Sequence, residues 1–156
     1  MEEDAGLPSA VVGENALRKA LAAAGSEEEI VLGVDTIVAT ELEVWGKPPD
    51  EEAARETLRR LSGRTHTVVS GVALVEGEDV RDAFTATTEV TFRALDERML
   101  EWYLATGEWE ERAGGYAIQG RGAALVRGID GDYLNVVGLP VAALLDRWPG
   151  LLELAA

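Results

Sequence analysis

The chain has 156 residues, 47% of them hydrophobic, which suits one domain with a real core or two small lobes and excludes a disordered protein. Its formal net charge of −15 argues against broad binding to nucleic acid or to anionic membranes, because both require basic patches. The lack of cysteine excludes disulfides and thiolate metal sites. The acidic start is unlike a secretory signal, and no apolar run reaches the length of a membrane helix. We therefore expect a cytoplasmic protein.

The first third of the chain predicts a helix, a buried strand and a short return. Apolar residues at helical spacing predict a helix over 14–24, which Gly25 ends. The continuous apolar run at 29–35 is typical of a strand that is covered on both faces. The following segment, TELEVWGKPP, predicts a turn, a brief return strand and a loop.

The middle of the chain predicts a hairpin with one helix before it and one helix after it. Asp50 is a suitable N-cap for a helix over 51–62. Residues 65–77 and 80–92 predict two strands joined at EGED, and the second strand alternates clearly between apolar and polar residues. A further helix is expected over 96–106.

The last third predicts a glycine-rich loop, a hairpin and a final helix. Residues 113–126 are rich in glycine, and Asp130-Gly131 is a turn signal that predicts a hairpin over 127–137. Pro140 lies near the first turn of a predicted helix. Because helices and strands interleave without strict alternation, and no linker or repeat is visible, we expect one α/β domain over 1–156 with a mixed sheet.

Three polar features are candidates for chemistry. Asp35, followed by Thr36, ends a predicted buried strand, where a carboxylate needs a hydrogen bond, an opposite charge or a metal ion. Twelve of the fourteen basic residues are arginine, so the two lysines, Lys19 and Lys47, are candidates for binding an anionic substrate. His66 is the only histidine and is interpreted as a structural residue at a strand start rather than a catalytic base.

Several common nucleotide motifs are missing from the sequence. The glycine-rich stretch matches neither G-x-x-x-x-G-K-[ST] nor G-x-G-x-x-G, and no G-x-S-x-G is present. With one histidine and no cysteine, a bound metal would have to be a hard cation, Mg²⁺ or Mn²⁺, held by carboxylate and phosphate oxygens.

Five ordered blocks carry a resemblance to a known family. VDTIV, GKP, LRRLSGRTHTVVSGVAL, AGGYAIQGRGAALV and GDYLNVVGLP occur in the order seen in the Maf family of nucleoside triphosphate pyrophosphatases. The resemblance covers about residues 2–148 and implies a mixed, curved sheet flanked by helices. It also implies hydrolysis, with a divalent cation, of a nucleoside triphosphate to a monophosphate and pyrophosphate.

The resemblance assigns roles to residues of this chain. Asp35 matches the family's proton acceptor and also lies at its metal, and Glu3 matches an acidic residue near the metal and phosphates. Lys19 and Lys47 match two lysines that bind the phosphates.

Two further positions concern the choice of base. Thr36 and Gln119 match positions linked to base selection, and the pairs Asp-Thr and Ile-Gln-Gly are similar to the dTTP/UTP subgroup rather than the 7-methyl-GTP subgroup. Partners are therefore expected to be a nucleoside triphosphate and, from the family, a second copy in a homodimer.

One family block is not matched. The family begins with a strand and a loop reading S-x-S-P-R-R, so the chain is expected to be N-terminally truncated relative to the family. Two readings stay open: a start assigned inside a longer frame, which we favour, or a shortened protein with weak hydrolysis. The alternative function is a nucleotide-binding or cell-division regulatory protein that is not catalytic.

Overall fold

The computed structural model describes residues 7–25 and 29–154, which form one open sheet with helices on both faces. The five strands lie in the order β2-β1-β3-β4-β5. Within the described residues, no helix has both the length and the apolar character needed to cross a bilayer. In chain order the elements are α1 (Leu7–Ala23), β1 (Ile30–Ala39), β2 (Val44–Trp45), α2 (Glu51–Leu61), β3 (Thr65–Glu76), β4 (Asp79–Phe92), α3 (Glu97–Leu104), β5 (Val126–Asp130), α4 (Tyr133–Val137), α5 (Val141–Arg147) and α6 (Leu151–Leu154), with 3₁₀ turns at Ala113–Gly115 and Arg121–Leu125.

The α/β class is confirmed, but the prediction of a mixed sheet differs from the pairing. All four strand pairings among the described residues are antiparallel. The reason lies in the connections, because β3 and β4 form a hairpin, and α2 returns the chain so that β3 runs opposite to β1 over ten residue pairs.

Helix α1 lies unusually close to the sheet. An ideal Cβ on Gly33 in β1 would stand 2.1 Å from the carbonyl oxygen of Ala16, and a Cβ on Gly71 in β3 would stand 2.3 Å from that of Val12. Ala16 and Ala20 are fully buried against this surface. Glycine on the strands and alanine on the helix therefore let the two backbones approach each other.

The opposite face of the sheet carries the main hydrophobic core. Val38 of β1 and Phe92 of β4 pack there against α2 and α3, whose fully or nearly fully buried residues include Leu58 and Leu104. The predicted N-cap at Asp50 is confirmed, because its carboxylate accepts a hydrogen bond from the backbone amide of Ala53 at 2.8 Å.

Two predicted elements begin or end elsewhere. The helix expected over 14–24 begins at Leu7; Pro8 is tolerated in its first turn, where a backbone N–H has no intrahelical partner, and only Gly13 lowers the helix propensity of this part. The strand expected over 29–35 continues to Ala39, because the residues after Asp35 keep pairing with β3 as far as Thr67. Asp35 consequently lies inside a strand and not at its end.

The prediction of a hairpin over 127–137 was wrong. Residues 126–130 form β5, but the chain then enters the short helix α4, because the side chain of Asp132 caps it by accepting from the amide of Leu134 at 2.8 Å. Asn135 anchors this helix from a fully buried position, and its amide donates to Thr88 Oγ1 at 3.1 Å.

The close helix–strand contact predicts an asymmetric response to alanine. Gly33→Ala should lower the free energy of unfolding by about 2–3 kcal/mol, because its methyl group would meet backbone atoms that cannot turn aside. Gly128→Ala is the matched control on β5, where nothing lies within 4 Å of the added atom, and it should change stability by less than about 0.5 kcal/mol. Urea unfolding measures both, and equal stabilities would contradict the close packing of α1.

Candidate functional site

Asp35 is the most strongly held charged group of the predicted site. Its side chain is 16% exposed, and Lys19 Nζ donates to its Oδ1 at 2.9 Å. Asn15 Nδ2 donates to the other oxygen, Oδ2, at 3.1 Å. Both donors come from one face of α1, four residues apart, so the close approach of that helix to β1 gives the buried carboxylate its partners.

Thr36 is held from the neighbouring strand. Its hydroxyl lies 2.9 Å from that of Ser70, its direct partner in the β1–β3 register, and either oxygen can donate. Ser70 is completely buried. Ser70 thus holds the Thr36 hydroxyl in place, and the hydroxyl keeps hydrogen-bonding capacity for one further partner.

Lys47 approaches from the loop after β2. Its Nζ lies 3.1 Å from Glu111 Oε2, and both side chains are largely exposed, at 63% and 80%. Glu111 has φ of 59°, in the left-handed region that side chains other than glycine seldom adopt. An exposed ion pair contributes little, so a polyphosphate could replace Glu111 at this lysine.

These groups border one cavity of about 250 Å³. Among the described residues that line it, the basic residues Lys19, Lys47 and Arg112 outnumber the acidic residues Asp35 and Glu111 by three to two, although the net charge of the protein is −15. The cavity is thus locally suited to an anion. The remaining lining comes from Val34, Thr36, Val38, Val68, Ala113, Tyr116 and residues 136–138.

Of the predicted site residues, Gln119 does not line this cavity, and Glu3 is not among the residues that the structure describes. Gln119 is exposed on the loop that follows the cavity wall, next to the buried Ile118. The roles predicted for both stay predictions.

The loop that carries Gln119 is fixed at its base by Glu108. This carboxylate accepts hydrogen bonds from the backbone amides of Arg121 and Gly122, at 2.9 and 3.2 Å, and from the hydroxyl of Tyr103. Partial burial opposes ionisation of Glu108, but the two amides, the Tyr103 hydroxyl and the positive charge of Arg121 together hold the pKa of this carboxyl below its usual range.

His66 lies in the core behind the cavity. It is 1% exposed, and its Nε2 lies 2.7 Å from the hydroxyl of Tyr116, a residue of the cavity wall. Burial lowers the pKa of His66 to about 4, so the ring is neutral at pH 7. This supports the structural interpretation of His66.

The sequence reasoning missed several residues of the site. Asn15 stands four positions before Lys19 in a helix that was predicted, so helical spacing could have identified it. Glu111, Arg112 and residues 136–138 carried no comparable signal, because a loop and a helix that was predicted as a strand bring them to the cavity.

The donor set suits a hard divalent cation only together with a substrate. Within residues 7–25 and 29–154, no three His, Cys, Asp or Glu side chains come together as a ready-made metal site. Mg²⁺ usually binds through one or two carboxylates, several waters and substrate phosphates, and Asp35 offers one such carboxylate at the cavity.

The comparisons with known proteins identify the family. The model of the family described as "Maf-like protein" matches residues 1–148. The chain belongs to the Maf family. Three curated Maf relatives, each named "dTTP/UTP pyrophosphatase", are 45% identical in Pyrococcus furiosus, 54% in Moorella thermoacetica and 49% in Bacillus cytotoxicus.

The matched regions cover a larger share of this chain than of each relative. The alignments span 75%, 86% and 88% of this chain. They span 61% of the Pyrococcus protein, 70% of the Moorella protein and 72% of the Bacillus protein. The Maf relationship therefore covers most of this chain and between three fifths and three quarters of these relatives.

The buried histidine predicts a pH dependence of stability. Between pH 7 and pH 5 the unfolded chain takes up a proton at His66, with an ordinary pKa near 6.5, while the folded chain does not until about pH 4. The contribution of His66 to the free energy of unfolding is therefore full above pH 6.5. It falls as the pH drops toward 4, and about 2 kcal/mol is lost at pH 5.

Urea unfolding at pH 7 and pH 5 measures this loss. His66→Gln should remove it, leaving only what other groups contribute at both pH values. The same pH dependence in the variant and the unaltered protein would contradict the assignment to His66.

Proposed function

We propose that this chain hydrolyses dTTP and UTP to the nucleoside monophosphate and pyrophosphate. The observation that carries the proposal is Asp35, held by two donors at a cavity whose described lining is locally basic, and curated relatives of this chain from Moorella and Bacillus are named dTTP/UTP pyrophosphatase. A cavity of about 250 Å³ is below the usual range of ligand sites, roughly 300–1,000 Å³, so part of a nucleotide would extend beyond it.

In this proposal, the basic residues bind the polyphosphate. Lys47 exchanges the exposed carboxylate of Glu111 for phosphate oxygens, and Lys19 reaches the same anion from the side of Asp35. Positive charge here lowers the repulsion between the anionic substrate and a nucleophile, and it stabilises the charge that develops on the leaving pyrophosphate.

Asp35 then acts as the proton acceptor. A water molecule attacks the α-phosphorus, a new P–O bond forms, and the bond to the oxygen that bridges the α- and β-phosphorus atoms breaks. The proton of the water passes to the Asp35 carboxylate and from there to solvent. The electron pair of the broken bond leaves with pyrophosphate.

A divalent cation completes the proposed site. Asp35 would hold Mg²⁺ or Mn²⁺ together with the phosphates, and Glu3 is the further ligand expected from the sequence. When bound, such an ion neutralises phosphate charge and polarises the phosphoryl oxygens.

The base is proposed to be read by two side chains. Thr36 presents a hydroxyl that Ser70 already orients, and Gln119 offers both a donor and an acceptor at the end of its loop. Both suit the polar edge of a pyrimidine.

A homodimer and a cytoplasmic location stay predictions from the sequence.

The first test concerns the proton acceptor, Asp35. Asp35→Asn should lower kcat for dTTP by about 10²–10⁴-fold, because the amide cannot accept the proton, while KM changes by only a few-fold. Asp79→Asn, on the exposed start of β4, is the matched control and should leave kcat unchanged.

Pyrophosphate release across a nucleotide panel with Mg²⁺ measures both variants. Binding of dTTP or UTP by the unaltered protein without pyrophosphate release would contradict hydrolysis and support the alternative of a binding protein that is not catalytic.

The second test concerns phosphate binding. Lys47→Met should raise KM for dTTP about tenfold or more, since one charge-assisted contact to phosphate is lost. Arg18→Gln removes a charge of the same sign from an exposed ion pair on α1 and should leave KM unchanged. Equal KM values for Lys47→Met and the unaltered protein would exclude a phosphate contact at Lys47.

A further inference from the structure

Each oxygen of the Asp35 carboxylate has its own donor from α1. Lys19 donates to Oδ1 at 2.9 Å and Asn15 donates to Oδ2 at 3.1 Å. The carboxylate is mostly buried and the Asn15 side chain is partly buried beside it. Hydrogen bonds to both oxygens therefore fix the orientation of the carboxylate plane.

The two donors differ in what they would do when an anion arrives. Lys19 is 56% exposed and carries a charge, and it also donates to the carbonyl of Val34 at 3.3 Å, so it is free to share its protons with a phosphate. Asn15 is neutral, so an arriving phosphate attracts its amide less strongly than it attracts the ammonium group of Lys19. When Lys19 shares its protons with a ligand, Asn15 still holds Oδ2.

We infer that Asn15 is a positioning residue that keeps the Asp35 carboxylate oriented toward the reacting water while Lys19 engages the substrate. This inference rests on the proposed function and adds a residue that the sequence did not single out. An amide is suited to the task because it donates a hydrogen bond without adding charge, whereas a second carboxylate at this position would repel Asp35.

A kinetic comparison separates positioning from binding. Asn15→Ala should lower kcat for dTTP by about 10–100-fold, the usual effect of removing a partner that orients a functional group, while KM stays within about threefold. Glu14→Gln is the matched control, because Glu14 is the preceding residue and its exposed side chain pairs only with Arg18 among the described residues.

Thermal unfolding of the same variants shows whether the fold is intact. Asn15→Ala with an unchanged melting temperature and a reduced kcat supports the inference. Asn15→Asp should lower kcat at least as strongly, since the new carboxylate adds repulsion to the lost donor.

Side-chain amide spectra report on the contact without any need for hydrolysis. The chain has two asparagines, Asn15 and Asn135, and one glutamine, Gln119, so a ¹⁵N correlation spectrum contains three side-chain amide pairs. Asn15→Ala assigns one pair by its disappearance. Asp35→Ala should shift that pair and leave the pair of Asn135, which is buried under α4, in place.

The outcomes distinguish the two proposals. No pyrophosphate release from the unaltered protein would contradict the proposed function. An active protein in which Asn15→Ala keeps its kcat, or in which only KM rises, would overturn the positioning role. An Asn15 amide pair that does not respond to Asp35→Ala would overturn it as well.

Discussion

The site depends on how closely α1 lies on the sheet. Gly33, two residues before Asp35 on the same face of β1, leaves room for the backbone of α1 at Ala16. Helical spacing then carries Asn15 and Lys19 to the Asp35 carboxylate. Without this approach a buried carboxylate would have no partners and would be costly to keep charged, so packing and chemistry here rest on the same contact.

Charge distribution explains how so acidic a protein can receive an anion. The net charge of the protein is −15, while the described lining of the cavity has one more basic than acidic residue. Both lysines are paired within the chain, Lys19 with Asp35 and Lys47 with Glu111. An exposed pair such as that of Lys47 is weak and can be exchanged at little cost, whereas the inferred role of Asn15 is to keep the proposed acceptor Asp35 in place as the charge around it changes.

Much of this arrangement follows from local patterns, and the rest depends on tertiary contacts. Helical spacing, strand alternation and the Asp50 cap predicted most elements, and the carboxylate at Asp35 was expected to need partners. The early start of α1 and the helix α4 were missed, because sheet packing and the buried Asn135 outweigh weak or misleading local signals. The contact of Glu111 with Lys47 joins residues 64 apart, which no periodicity reveals.

The most direct test of the account is the structure of the unaltered protein with Mg²⁺ and a dTTP analogue whose bridging oxygen between the α- and β-phosphorus atoms is replaced by a methylene group. The account predicts the α-phosphorus beside the Asp35 carboxylate, with Lys19 and Lys47 on phosphate oxygens and Asn15 still bound to Asp35. A nucleotide bound outside this cavity, or an α-phosphorus remote from Asp35, would contradict it.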